Sequence, residues 1–134
     1  YGNTKAAAKL LADKLTAKGC PKVVVADLAR EDMAECVEDA FRYGKLVLAT
    51  TTYNTDIFPY MREFINDLVE HNYQNRTIAL IENGSWAPSA NRAMTELLSQ
   101  MKDISILDSS VTIRGALKDE DVQVLSDLAD ALLS

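Results

Sequence analysis

The sequence is poor in the residues that mark several large classes of protein. It holds two cysteines, Cys20 and Cys36, among 134 residues. They stand too far apart for a CxxC redox motif and are too few for a disulfide framework, so both read as free thiols in a reducing cytoplasm. Cys36 falls on a helical stretch and reads as a small apolar residue. No apolar run approaches the ~20 residues that a membrane span needs, so no membrane is expected as a partner. Basic residues are outnumbered, 14 Lys and Arg against 20 Asp and Glu, for a formal charge of −6. That excess argues against nucleic acid, whose phosphates need a basic face. It suits docking to a basic surface, and simple solubility explains it equally well. Only five glycines and three prolines are present, with no repeat, low-complexity stretch or linker. A single domain over residues 1–134 is therefore expected.

What is present is a regular alternation of periods. From Thr4 to about Lys18, Ala7, Ala8, Leu11 and Leu15 make a helical stripe with Lys5, Lys9, Asp13 and Lys14 outside it. Gly19 and Pro21 end it. "KVVVADL" (22–28) reads as a strand buried on both faces. In "REDMAECVEDAFRY" (30–43) Asp32 can cap a helix whose inner stripe is Met33, Val37, Ala40 and Phe41. Gly44 stops it. "KLVLATT" (45–51) reads as a strand. "FPYMREFINDLVEHN" (58–72) reads as a helix, with Pro59 harmless in its first turn. Its apolar face is Met61, Phe64, Ile65, Leu68 and Val69. "RTIALIENG" (76–84) reads as strand and turn. "APSANRAMTELLSQMK" (87–102) is a helix with Met94, Leu97, Leu98 and Met101 inside. Residues 104–113 are extended but broken by "DSS". "KDEDVQVLSDLADALLS" (118–134) is a helix whose acidic first turn suits the dipole. The only histidine, His71, falls near a helix end and reads as a partner of the C-terminal dipole rather than a metal ligand.

Helices alternating with strands predict an α/β fold, a doubly wound five-stranded parallel sheet in the order 2-1-3-4-5. In that order the first strand lies inside the sheet and precedes the first helix. The chain opens on the helix, so a strand ending in a loop is expected ahead of Tyr1. Without it, "KVVVADL" and "KLVLATT" flank a gap and leave backbone groups unsatisfied.

In open sheets of this kind ligands sit beyond the carboxyl ends of the strands. Three segments fall there. "YGNT" opens the first helix: Gly2 allows close approach, Asn3 and Thr4 offer amides, and the Thr4 hydroxyl can donate. With the helix dipole this suits phosphate, although an ordinary N-cap explains it equally well. No GK[ST] follows, so it is not a Walker loop. "TTTYNTDIFP" offers hydroxyls, amides and the ring of Tyr53, which could also pack on its own helix. "ENGSWAPSA" carries the only tryptophan, Trp86, in a Gly/Ser/Pro loop where it can stack on a planar ligand or lie over the sheet edge. A phosphate loop and two aromatic loops at one end of a sheet suit a mononucleotide, and flavin mononucleotide (FMN) fits best.

"YGNT" resembles the second half of the phosphate loop of flavodoxin-like proteins, which reads Ser/Thr-x-x-Gly-Asn-Thr. "TTTYNTDIFPYMREFINDL" and "IENGSWAPSANRAM" resemble the C-terminal flavin domain of A-type flavoproteins, the flavodiiron proteins, over essentially the whole chain. The resemblance implies that Gly2, Asn3 and Thr4 hold the FMN phosphate with Tyr1 close by. It implies that Thr51, Thr52, Tyr53 and Asn54 line the isoalloxazine edge, and that Gly84, Ser85 and Trp86 cover the ring. It implies electron transfer to a diiron, metallo-β-lactamase-like domain that reduces oxygen or nitric oxide. Electrons would come from rubredoxin or a flavin reductase, and a homodimer would bring flavin and irons together. No residue here matches a diiron ligand set. "TYNTD" also lacks the glycine that many short flavodoxins carry in that loop, and Asn54 tolerates positive φ better than most residues. Two other readings stand beside this one. A stand-alone quinone or NAD(P)H reductase would oxidise NAD(P)H by itself, and a cofactor-free interaction module would retain no flavin. A receiver domain would need an acceptor Asp where this chain has threonines.

Overall fold

A computed structural model describes residues 2–28, 30–53, 56–57, 59–83, 90–107, 111–114 and 116–133. Helices α1 (Gly2–Ala17), α2 (Met33–Arg42), α3 (Pro59–Glu70), α4 (Ala90–Leu98) and α5 (Asp119–Leu133) alternate with strands β1 (Lys45–Tyr53), β2 (Asp56–Ile57), β3 (Arg76–Asn83), β4 (Ile104–Ile106) and β5 (Val111–Ile113). The helix ends follow the local signals. Asp32 is extended and its Oδ1 accepts from the Ala34 N–H at 3.2 Å, capping α2. Pro59 is the first residue of α3. Gly19 takes φ +100°, where the chain turns out of α1 towards Pro21. Asp119, Glu120 and Asp121 occupy the first turn of α5. His71, past the end of α3, has its Nδ1 2.8 Å from the Asp67 carbonyl, as a dipole partner should.

The sheet is the doubly wound α/β arrangement expected, with β3 at its centre. β1 runs parallel to β3 from Lys45↔Thr77 to Thr51↔Asn83. On its other side β3 pairs in parallel first with β4 and then with β5. The two short strands are thus one line broken around 107–110, the interruption expected at "DSS". Residues of β3 alternate between two cores. Ile78 and Leu80 pack with Phe64, Ile65, Leu68, Met94 and Leu98. Ala79 and Ile81 pack with Leu11, Val111, Ile113, Leu125 and Leu128 on the opposite face. Helices cover both faces, which is why the strand reads as an unbroken apolar run. Cys36 lies in the first core and is free, as is Cys20.

Two expectations require correction. Residues 22–28 form no strand: the segment is extended but enters no ladder among the described residues. Val24 and Val25 are 45% and 47% exposed. Its β-branched sequence suits a strand, but a strand needs a neighbour, and none lies between this segment and β1. The second correction concerns β1, which does not end at Thr51. It continues through Tyr53 and pairs antiparallel with β2, Thr52 opposite Ile57 and Tyr53 opposite Asp56. Thr-Thr-Tyr has the β-branched and aromatic character that favours such a continuation.

At the amino end of β3 a buried aromatic latch joins the sheet to α2. Tyr73 is 1% exposed, its ring meets Phe41 edge-on with centroids 5.0 Å apart, and the Arg76 guanidinium lies 5.1 Å from its centroid. Arg76 Nη2 donates to the Phe41 carbonyl at 2.9 Å. Burial pushes the Tyr73 phenol up to about 12, against the opposing pull of Arg76. The unfolded phenol titrates at about 10. Between those values the unfolded chain loses its proton while the folded chain keeps it. Stability from this group is therefore complete below pH ~10 and falls by about 2–3 kcal/mol as pH rises to ~12. Urea unfolding across that range should show the decline, and Tyr73→Phe should flatten it. An equal decline in both proteins would refute the assignment.

Candidate functional site

The direction of the helices fixes where the strands' carboxyl ends lie. Lys18, just past α1, pairs with Asp130 near the end of α5 at 2.9 Å. The Lys45 ammonium, at the start of β1, donates to the Leu132 carbonyl at the end of α5. The C-terminal ends of α1 and α5 therefore lie beside the amino end of β1. Their N-termini lie at its carboxyl end, the end where β3 meets α4.

Thr4 stands in the first turn of α1 at that end. It is 8% exposed, and its Oγ1 has no hydrogen-bond partner among the described residues. A buried hydroxyl in that state costs stability unless something else engages it. The first turn of α1 also contains no acidic side chain. Other helix starts are already compensated: α2 by Asp32, α5 by its three acids, and α4 by a carboxylate from the sheet. Free amides, a positive dipole end and an unengaged hydroxyl together make an anion site.

The carboxylate that serves α4 is Glu82, a residue the sequence reading left inside a strand without a role. It is 6% exposed. Its Oε1 accepts from the Asn91 backbone N–H at 3.1 Å, and its Oε2 accepts from Thr112 Oγ1 at 2.7 Å. Thr112 is also its ladder neighbour on β5. Asn91 Nδ2 donates to the Val111 carbonyl at 3.3 Å. One buried carboxylate thus joins β3, β5 and the start of α4. It anchors both sides of the segment 84–89, since Glu82 precedes that segment and Asn91 follows it. The available signal was a Glu closing the apolar run "TIALIE", because a charge there must be partnered.

The other predicted site residues distribute as follows. Gly2 and Asn3 lie in the first turn of α1, and Thr51, Thr52 and Tyr53 are the last residues of β1. All five stand at the carboxyl end of the sheet by backbone position. Tyr1, Asn54, Gly84, Ser85 and Trp86 lie outside the described residues. No helix among the described residues is long and apolar enough to cross a membrane.

No protein-family model matches the chain, and no curated protein matches it in sequence. Solved structures do. An archaeal flavodoxin superposes with a TM-score of 0.84 at 20% identity, covering 98% of this chain and 88% of its own. Rubredoxin oxygen:oxidoreductase from Desulfovibrio gigas gives 0.85 at 17%, over 97% of this chain and 32% of its own. A flavodiiron protein variant from Thermotoga maritima gives 0.77 at 27%, over 100% of this chain and 34% of its own. The fold is flavodoxin-like. The chain spans most of the flavodoxin's length and about a third of the flavodiiron proteins'.

Removing the Glu82 carboxylate strands a helix N–H and a hydroxyl in the interior. Glu82→Leu should cost roughly 2–4 kcal/mol in urea unfolding. Glu82→Gln keeps one acceptor and should cost about half as much. Equal stability of all three proteins would show that the carboxylate holds nothing.

Proposed function

We propose that this chain is an FMN-binding electron-transfer domain of the flavodiiron type. The observation that carries the proposal is the buried Thr4 hydroxyl, unengaged at the uncompensated N-terminus of α1. A phosphate monoester supplies the acceptor oxygens that this hydroxyl and the first-turn amides call for. Gly2, Asn3 and Thr4 would hold the phosphate beside Tyr1. Thr51, Thr52, Tyr53 and Asn54 would line the edge of the flavin ring, and Gly84, Ser85 and Trp86 would cover it. The likeness to a flavodoxin and to flavodiiron proteins, whose chains are about three times as long, supports both the cofactor and the wider context.

FMN would supply the redox chemistry, accepting and releasing electrons reversibly. The protein's share is binding, orientation and electrostatics. Glu82 fixes where β3 ends and α4 begins, and so fixes the two ends of the segment that carries Trp86. The chain's net charge of −6 disfavours adding negative charge to the flavin and suits a donor with a basic face. In this reading the 134 residues form one domain that works in the cytoplasm. The diiron, metallo-β-lactamase-like domain lies outside them, with rubredoxin or a flavin reductase as donor and a homodimer as the working assembly.

Thr4→Val tests the phosphate contact with little change of shape. It should weaken FMN binding about 10–100-fold, the worth of one hydrogen bond to a charged group. The protein without FMN should be as stable as before or more so, because a buried unengaged hydroxyl is gone. Quenching of Trp86 fluorescence on FMN titration measures both proteins. FMN affinity unchanged by the substitution would refute the assignment of Thr4. Steady NAD(P)H oxidation by the chain alone would favour a stand-alone reductase. A well-folded protein that retains no flavin would favour a cofactor-free interaction module.

A further inference from the structure

The largest void of the described residues is a slot of about 790 Å³. It has four walls. One is the edge of β1 from Lys45 to Ala49, on the side away from β3, and the facing wall is the extended segment Lys22–Leu28. Thr4, Ala8, Leu11 and Leu15 of α1 make the third, and Cys36, Ala40 and Tyr43 of α2 contribute to the fourth. The slot therefore opens onto both hydrophobic cores at once. Leu48, Cys36 and Ala40 belong to one, and Leu11 and Leu15 to the other.

The geometry points to an occupant of one kind: a single extended polypeptide strand, apolar on both faces and parallel to β1, supplied from outside these 134 residues. The β1 edge at Lys45–Ala49 and the segment Lys22–Ala26 enter no ladder across the slot among the described residues. Two facing rows of backbone donors and acceptors call for a strand that can pair on both sides, which a helix, a lipid chain or a small apolar molecule cannot do. Both faces of that strand would meet apolar side chains, so its sequence is a continuous β-branched run rather than an alternating one. Its direction follows from β3, β4 and β5, all parallel neighbours in the sheet. Five to seven residues, about 17–23 Å, match the available edge. A second copy of this chain does not fit. Its own β1 edge is recessed between its own α1 and α2, and its segment 22–28 forms the far wall of an identical slot.

The test uses the whole chain and a synthetic peptide of five alternating valines and isoleucines flanked by lysine pairs, with hydrogen exchange read segment by segment. The peptide should slow exchange at 45–49 and at 22–26 at least tenfold, and should slow modification of the Cys36 thiol in parallel. The same peptide with proline at its centre should do neither, since proline removes a ladder donor. Ala8→Phe, which fills the slot from α1, should abolish the protection. Protection elsewhere, none at all, or an equal effect of the proline peptide overturns the proposal. So does protection of the same amides that rises with protein concentration in the absence of peptide, which would assign the slot to a second copy. None of these readings depends on FMN.

Discussion

The parallel pairing of β3 is the constraint on which the rest of the molecule depends. Ile78, Ala79, Leu80 and Ile81 are each 0–1% exposed, and they send side chains alternately into two separate cores. A one-residue slip of register would exchange the two sets and empty both cores of their best-buried members. That register also decides chemistry. It brings Glu82 level with Thr112 and ends the strand at the start of α4. The polar end of the sheet exists because an apolar strand of fixed register stops being apolar at one defined residue.

Parallel strands have a second consequence: each needs a neighbour on both sides or a cover for its edge. β3 has both neighbours. β1 has β3 on one side and only the short β2 at its carboxyl end on the other. Segment 22–28 remains extended without becoming a strand because the partner that would complete it is not among the described elements. The exposed Val24 and Val25 are the visible cost, two apolar side chains left in contact with water.

Legibility in the sequence followed physical range. Helices and their ends depend on residues three or four apart, and Asp32, Pro59, Gly19 and the acidic turn of α5 all sit where local rules place them. The central strand was legible because burial on both faces leaves an unmistakable apolar run. "KVVVADL" carries the same local signal, and there the reading failed, since strand formation rests on a partner distant in sequence. The extension of β1 through Tyr53 was missed for the same reason, because its pairing with β2 lies in a part first read as loop. Glu82 and Tyr73 were invisible as functional or structural centres. Their roles come from Thr112, Asn91, Phe41 and Arg76, which only the fold brings to them. Of the candidate site, the sequence identified Thr4 as a donor in an anion turn. It did not show that the hydroxyl is buried without a partner, the feature that turns an ordinary cap into a binding argument.

The slot and the anion turn are one construction. Thr4 is both the unengaged hydroxyl at the start of α1 and a lining residue of the slot beneath it. A strand that fills the slot parallel to β1 delivers its carboxyl end to the first turn of α1. There its following residues meet the same amides and hydroxyl that an anion would meet. Filling the slot would therefore shape the phosphate site from below. It would also exclude water from Thr4 and raise the effective strength of the contacts made there. Binding at the turn and order in the sheet are coupled through a single side chain, so each should strengthen the other by the same factor.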